Sequence, residues 1–442
     1  MADDGRRKAR KRRIVAAAVF GILALTLPLS LFYYAERHKS VTLEFGMFTG
    51  SNWGVANGDS YRIIDKAILK FEKSHPGMHV HYYSGIRKQD YGEWLSQQIL
   101  RGKMCDVLLI PGEQFDKLAD MGLLLDLDKI ISKDGRIKSW EYFTNAWNSG
   151  IYKGTLFALP YETDFMLMAV NKTLFDNCSL SLPKPDWTWN DFYDLCRLMT
   201  QDENNDGLPD TAGVCGYSWK EAAYSNGARL FDNYGKRAYF SDQKVLEAVL
   251  FMQKLSSLTA NKIFSQKDFD EGRVAFMPLS FAKYKTYISY PYKITKDRNF
   301  EWQCLDMPAG YSGNNISEVN TLLAGISANT RHKKLALDFL EILTHDIEIQ
   351  TDISQSTQGT SALRLIANSP YAKQLLTSVT GTQELGLIAN ILNTGFLQQK
   401  FTNFDELMVL ADDSVNKIIS EKKDADSSLK IFQRNIQTML DQ

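Results

Sequence analysis

The sequence lacks the short motifs that mark common nucleotide-binding and hydrolytic sites. It contains no Walker A loop, no Rossmann glycine fingerprint, no GxSxG and no HExxH. The five cysteines among 442 residues show no CxxC spacing, and their odd number leaves at least one thiol unpaired. Cys178 and Cys215 could form a disulfide bridge, a question that the sequence leaves open. These absences argue against the nucleotide-dependent, serine-hydrolase and zinc-protease classes.

Net charge is also nearly absent, but its distribution along the chain is uneven. The formal net charge is −1, yet residues 1–13 hold seven basic and two acidic residues. The remaining chain holds 44 basic and 50 acidic residues. A basic tail on an acidic body is unlike a nucleic-acid-binding surface, so we predict no nucleic-acid partner.

The tail is followed by an uncharged run over residues 14–34. Its 21 residues match the thickness of a bilayer's hydrocarbon core. We predict a cytoplasmic tail over 1–13, a single-pass transmembrane helix over 14–34 and a linker over 35–40, with the body outside the cell. The alternative is a cleaved signal peptide, for which Tyr33-Tyr34-Ala35 is a poor cleavage site. A lipoprotein would need a cysteine directly after the run, and the first is Cys105.

The body alternates short apolar runs with amphipathic stretches, which predicts an α/β fold. The run from Phe165 to Val170 is apolar at every position, as in a strand that is covered on both faces. Glu162 and Asp164 stand where this strand begins. Two carboxylates at the mouth of a buried strand are poorly explained by packing alone.

Several motifs occur in an order that resembles the carbohydrate-binding proteins of ABC importers, the maltose-binding-protein-like family. The resemblance extends from about residue 41 to 363, and beyond that only helical periodicity is recognisable. Its motifs are Phe71-Glu-Lys-Ser-His-Pro-Gly, Asp106-Val-Leu-Leu-Ile-Pro, Tyr161-Glu-Thr-Asp, Trp189-Asn-Asp-Phe, Asp202-Glu-Asn-Asn-Asp-Gly, Phe269-Asp-Glu-Gly-Arg, Leu305-Asp-Met-Pro and Leu323-Ala-Gly-Ile. Each motif alone is weak evidence, and the resemblance depends on their occurrence in the family's order.

The resemblance implies a two-lobed, periplasmic-binding-protein-like α/β fold with a hinged cleft between the lobes. Lobe one is expected to hold residues 41–162 plus 322–355, and lobe two residues 163–321 plus 356–442. The chain would cross between the lobes near Tyr161 to Asp164, near Asn320 and around Gln355 to Thr360. A ligand would then lie between the lobes, outside the carboxyl ends of the strands.

Sugar recognition needs carboxylates or amides for hydroxyl groups and aromatic faces for C–H surfaces. By family position Asp164 and Glu113 are the expected ligand carboxylates, and the other candidates are chosen by their place near them or in loops at strand ends. The predicted ligand-binding residues are Asn52, Trp53, Glu113, Gln114, Glu162, Asp164, Tyr217, Trp219, Tyr224, Asn226 and Phe281. The alternatives stay open: a surface acid or helix cap for the carboxylates, and core packing for the aromatic residues. Phe281 stands where the family commonly has a tryptophan.

An acidic loop matches the first half of an EF-hand. Asp202, Asn204, Asp206 and Asp210 alternate around a glycine at 207, as oxygen ligands for a calcium ion would. The twelfth position is Gly213, where an EF-hand has glutamate. The prediction is therefore a calcium site that lacks one ligand, and the alternative is a plain turn without metal. No other cofactor is predicted.

The function implied by the resemblance is capture of a saccharide, of oligosaccharide size, and its delivery to an ABC permease. An alternative is a sensor in which a membrane kinase reads the closed form. A third possibility, from another class, is a glycosidase that uses Glu162 or Asp164 with a second carboxylate. We disfavour it, because a hinged cleft does not hold two carboxylates at a fixed separation.

Overall fold

The computed structural model describes residues 40–55, 60–260, 262–288, 300–370, 387–397, 401 and 403–441. The predicted tail and anchor, and the linker up to residue 39, lie outside these ranges. Within the described ranges, none of the helices has the length and apolar run that crossing a bilayer requires.

Strands and helices alternate along most of the described chain, as the sequence predicts for an α/β fold. The strands are β1 (Val41–Gly46), β2 (Met78–Tyr82), β3 (Val107–Ile110), β4 (Ile151–Tyr152), β5 (Thr155–Leu156), β6 (Ala158–Asn171), β7 (Ala212–Val214), β8 (Val274–Ser280), β9 (Trp302–Leu305) and β10 (Val319–Ile326). The helices of the first half are α1 (Ser60–Ser74), α2 (Lys88–Leu100), α3 (Gly112–Asp120), α4 (Asp128–Asp134), α5 (Thr144–Asn148), α6 (Lys172–Asn177), α7 (Trp189–Met199) and α8 (Trp219–Ser225). Those of the second half are α9 (Gln243–Ser256), α10 (Gln266–Asp270), α11 (Phe281–Ile288), α12 (Lys333–Thr344), α13 (Ile347–Ser356), α14 (Arg364–Ala367), α15 (Leu387–Thr394), α16 (Phe404–Ser420) and α17 (Ala425–Leu440).

The first lobe is built on a sheet with the strand order β2-β1-β3-β10-β6. Strand β1 runs parallel to β2 and β3, whereas β10 runs antiparallel to β3 and β6. Helix α1 buries Ile64, Ala67 and Phe71 and packs against α12, which fits the apolar stripe read from the sequence. Helices thus cover the parallel strands, and the carboxyl ends of β1 and β3 open onto one edge.

Strand β6 carries the sheet from one lobe to the other. Its first half pairs with β10, and its second half, from Met166, pairs with β8 and β9. Strand β7 then extends the second sheet parallel to β8. All residues of β6 except Met166 are buried, which is the physical reason why this segment is apolar at successive positions.

Strands β6 and β10 connect the lobes side by side, and the chain crosses a third time near Phe396, which forms a bridge with Glu318. Strand β6 passes at Thr163, and Asn320 of β10 lies opposite Asp164 in the antiparallel ladder. On the other side of β6, Thr163 and Thr360 exchange backbone hydrogen bonds of 2.8 and 2.9 Å, but the segment around Thr360 continues into α14 of the first lobe. Neighbouring connections of this kind restrict relative movement of the lobes to a hinge.

The C-terminal part departs from the predicted division. Helices α14 and α15, assigned to lobe two from the sequence, pack with α13 and α5 of the first lobe. The chain returns to lobe two near Phe396, whose ring stacks on Tyr224 at 4.6 Å. Helices α16 and α17 pack on α9 in that lobe. Helical periodicity identifies a buried face but not the lobe that covers it, so the sequence could not place these helices.

Local predictions about caps and thiols can be compared with the structure. The capping box before α7 is present, since Thr188 accepts the Asp191 backbone N–H and its own N–H donates to the Asp191 carboxylate. The five cysteines are all free thiols, so Cys178 and Cys215 form no bridge. Cys105 and Cys196 are buried and act as small core residues.

Candidate functional site

A cavity of about 470 Å³ lies between the lobes. Its lobe-one wall follows the loop after β1, the start of α3 and the segment from α5 to β5: Asn52, Trp53, Gly112, Glu113, Phe115, Asp116, Asn148, Ser149, Ile151, Tyr152, Lys153 and Gly154. Strand β10 contributes Val319, Asn320, Thr321 and Leu323, and lobe two contributes Asn233, Tyr234 and Leu397. This volume lies within the range of about 300–1,000 Å³ that is typical of small-molecule sites.

Three of the predicted ligand residues line this cavity: Asn52, Trp53 and Glu113. They converge because Asn52 and Trp53 follow β1 and Glu113 follows β3, two parallel neighbours whose carboxyl ends share an edge. Glu113 lies in the first turn of α3 and is paired with Lys88 of α2. The pair holds the carboxylate at the rim, where hydroxyl groups of a ligand can reach it.

Two polar atoms of the cavity wall lack a partner among the described residues. They are the Asn52 Oδ1 and the Thr321 Oγ1, both buried from solvent. A buried polar atom without a hydrogen bond costs about 1–3 kcal/mol. Both belong to residues that line the cavity.

The sequence did not nominate several residues of the wall. Tyr152 and Lys153 belong to the β4–β5 hairpin, in which Lys153 and Gly154 have φ of 48° and 85°. Asn233 and Tyr234 come from a turn in lobe two. Tyr152 could be predicted from the sequence, because it lies in a glycine-containing hairpin that follows a helix. No local pattern indicates that Tyr234 reaches the cleft from lobe two.

Asp164 does not reach this cavity, which corrects the main prediction for the site. Its side chain is 6% exposed and accepts a hydrogen bond of 2.8 Å from the Ala282 backbone N–H at the start of α11. Burial raises the pKa of Asp164 to about 7, against the lowering effect of this backbone N–H. The carboxyl thus accepts a backbone N–H at the start of α11 and does not line the cavity.

Glu162 and Gln114 do not line the cavity either. Glu162 is buried and accepts hydrogen bonds of 2.5 Å from the Thr357 hydroxyl and 2.6 Å from the Gly359 N–H. Burial raises its pKa, and these donors oppose the shift. Gln114 is turned towards α2, with its Nε2 2.8 Å from where a Cβ on Gly92 would stand. Both side chains therefore support the framework around the site.

A buried lysine completes the polar cluster at the hinge. Lys285 of α11 donates to the carbonyl groups of Ser354, Thr357 and Gly359, at 2.8, 2.5 and 3.1 Å. Burial lowers the pKa of Lys285 to about 8, against the raising effect of Glu162 and Asp164. One ammonium from lobe two thus holds the end of α13 and the loop that follows it, both of the first lobe.

The remaining lobe-two candidates are core residues, so their prediction as ligand contacts is wrong. Tyr217 and Trp219 are buried, and the Trp219 Nε1 donates to Asp412 at 2.9 Å. Tyr224 packs on Phe396. Asn226 is fully buried and forms hydrogen bonds with Lys244, Glu247 and Ser312. Phe281, the first residue of α11, stacks on Phe165 at 4.8 Å. The alternative of core packing holds for the four aromatic residues among them, because an aromatic cluster in sequence does not show which face the fold covers.

The acidic loop forms a closed turn. Asp206 and Gly207 donate their N–H groups to Asp202 at 3.2 and 2.8 Å, and Asp210 accepts from the Asn204 N–H at 3.1 Å. The described residues contain no cluster of three or more metal-binding side chains. Calcium binding here stays a prediction, and chelation should then lower the melting temperature. Identical melting curves with and without chelator would leave a plain turn.

Comparison with known proteins places this geometry in context. The family model for bacterial extracellular solute-binding proteins matches residues 56–346, about two thirds of the chain. The curated proteins include none that matches the chain.

Solved structures resemble the chain over nearly its whole length. An ABC substrate-binding protein from Listeria monocytogenes in complex with cycloalternan has a TM-score of 0.67 and 17% identity, covering 91% of this chain and 99% of that one. The cyclic α-maltosyl-1,6-maltose binding protein of Arthrobacter globiformis has a TM-score of 0.73 and 14% identity, covering 90% and 98%. The sugar-binding protein MalE of Xanthomonas citri has a TM-score of 0.72 and 15% identity, covering 90% and 97%. At such low identity these similarities establish the two-lobed fold and leave the ligand open.

Proposed function

Since the chain belongs to the bacterial extracellular solute-binding proteins, we propose that it captures a saccharide outside the cytoplasm and delivers it to an ABC importer. The three similar structures are named for sugars or for a sugar complex, which favours this ligand class. The membrane-spanning subunits of the importer are the proposed partner. The observation that carries the proposal is the composition of the interlobe cavity.

Aromatic rings and amides stand together in that cavity, as sugar binding requires. Trp53, Tyr152 and Tyr234 offer ring faces, on which the C–H surface of a pyranose can pack. Asn52 and Asn320 offer amide groups at the same opening. A ligand that is apolar on its faces and hydroxylated at its edges suits this mixture better than a purely apolar or purely ionic one.

The proposal contains no catalytic step. The family is one of binding proteins. For the alternative of a glycosidase, Glu162 or Asp164 was to act with a second carboxylate, and each of these two is engaged in hydrogen bonds near the hinge. An enzyme of that kind needs both acids at the scissile bond. Release of reducing sugar from a bound oligosaccharide would contradict this part of the proposal.

Replacing Trp53 by alanine should weaken saccharide binding by about tenfold to a hundredfold. The reason is loss of a ring surface whose burial by ligand is worth about 1.5–3 kcal/mol. A thermal-shift screen over mono- and oligosaccharides would identify a ligand, and calorimetry on the variant would then measure its affinity.

Trp140→Ala is the matched control, because Trp140 is exposed and lies outside the cavity. It should leave affinity unchanged. Equal affinity of the Trp53→Ala variant and the wild type, with both folded, would show that the ligand does not bind in this cavity. Absence of any bound saccharide in the screen would argue against the ligand class itself.

We also propose that residues 14–34 remain as a membrane anchor with the body outside the cell. The length of the uncharged run and the basic residues before it support this proposal. The intact mass of protein extracted from membranes should correspond to a chain that retains this segment. A mature species that begins near Glu36 would contradict it.

A further inference from the structure

A second cavity, of about 800 Å³, adjoins the first. Tyr152, Lys153 and Tyr234 line both, so the two spaces meet at this pair of tyrosines, one from each lobe. Beyond them the second cavity continues between the end of α3 and helices α16 and α17. The cleft therefore does not end at the first cavity.

The lobe-one wall of the second cavity is polar and fixed in place. Asp120 accepts hydrogen bonds from the Tyr152 hydroxyl at 2.7 Å and from the Lys153 ammonium at 2.6 Å. The Lys153 ammonium also lies 4.9 Å from the centre of the Tyr152 ring. These contacts hold donors and acceptors in one orientation along the wall, where the edge of a ligand would pass.

The lobe-two wall of the same cavity carries an apolar group beside the polar residues Lys236, Asn403 and Glu406. The apolar group consists of Leu407, Leu410, Met439 and Leu440, from α16 and α17. Leu410 is 41% exposed and Met439 is 51% exposed. Apolar side chains at this exposure on a cleft wall gain about 25 cal/mol for each Å² that a ligand covers.

We infer that the second cavity binds further sugar units of an elongated oligosaccharide whose first units occupy the first cavity. This rests on the proposed function and adds to it the shape of the ligand. A chain of pyranose rings carries hydroxyl groups along its edges and C–H groups on its faces. Such a chain would meet the Asp120 and Lys153 wall with its edges and the Leu410 and Met439 wall with its faces.

The second cavity also depends on a part of the chain that the family match does not include. The match ends at residue 346, whereas α16 and α17 lie beyond it. Under this inference α16 and α17, which belong to lobe two, contribute to the length of ligand that the protein accepts.

Binding should accordingly depend on ligand length. We would titrate the full chain by calorimetry with linear α-glucans and linear mannans, each from the disaccharide to the heptasaccharide, after a glycan array has shown which series binds. Affinity should rise by about tenfold or more as the chain grows past the first cavity, because each added ring covers apolar wall.

The Leu410→Arg variant tests the wall itself. It should weaken binding of the longest oligosaccharide by about tenfold and leave the shortest binding member unchanged, since a charged side chain on that wall must be desolvated. Val409→Arg is the control, because Val409 is 61% exposed on the same helix and does not line the cavity. It should change neither affinity.

The outcomes separate the two proposals. Affinity that is independent of length, or a Leu410→Arg effect that is equal for short and long members, would overturn the second binding region and leave saccharide capture intact. Failure of every glycan to bind would overturn saccharide capture, and this inference with it.

Discussion

Replacing Lys285 by methionine is expected to lower the free energy of unfolding by about 3–5 kcal/mol, as for other buried charges whose partners are left behind. The side chain is 6% exposed and donates to three carbonyl groups at the hinge. Methionine fills a similar volume but donates nothing, so those carbonyls and the Glu162 carboxylate would be left in a dry environment. Urea denaturation of both proteins measures the difference.

Lys267→Met serves as the control, because Lys267 lies on the neighbouring helix α10 and is largely exposed. Its substitution should change stability by less than about 0.5 kcal/mol, as is usual for surface positions. A similarly small effect for Lys285→Met would show that water replaces the ammonium at the three carbonyls. The hinge would then be less dry than the burial of its side chains indicates.

The stability of the wild type relative to Asp164→Asn should fall by about 4 kcal/mol as the pH rises from 4 to 7. In the unfolded chain this carboxyl ionises near pH 4, its ordinary range. Burial raises the pKa of Asp164 to about 7 in the folded protein. Between these values the folded state holds more protons than the unfolded state, so stability declines with rising pH and then levels off above pH 7.

Comparison with the asparagine variant isolates this carboxyl, because burial also raises the pKa of Glu221 to about 7 and that group acts in both proteins. Asparagine keeps an oxygen that can accept the Ala282 N–H. Denaturation at a series of pH values gives the difference, and Asp194→Asn, at an exposed position, is the control. A difference that does not vary with pH would show that Asp164 ionises in the folded protein within its ordinary range.

Asp164 and Lys285 show which features of the site could be predicted from the sequence and which could not. The family resemblance predicted a lobe connection near Asp164, and β6 passes from one sheet to the other just after this residue. Its role was not correctly predicted, because the carboxyl points to α11, which follows more than a hundred residues later in the chain. Lys285 was not nominated, since nothing in its local sequence distinguishes a buried lysine from an exposed one.

Some residues of the cleft could likewise be predicted from the sequence, and others could not. Asn52, Trp53 and Glu113 could be found because each follows a strand, and the carboxyl ends of parallel strands meet at one edge. Tyr234 could not be found, because its position in the cleft depends on how lobe two faces lobe one. Tyr217 and Trp219 were misassigned because an aromatic cluster has the same appearance in sequence whether the fold covers it or leaves it open.

The sequence by itself determined the α/β class, the doubly covered strand β6, the helix stripes and caps, and the family. These are set by local periodicity and by motif order, which one chain displays directly. The tertiary structure alone decided which carboxylates face the cleft, which lobe receives α14 and α15, and where the second cavity opens. These features depend on contacts between residues far apart in the chain, and the free energy of such contacts comes from burial and pairing that no local pattern encodes.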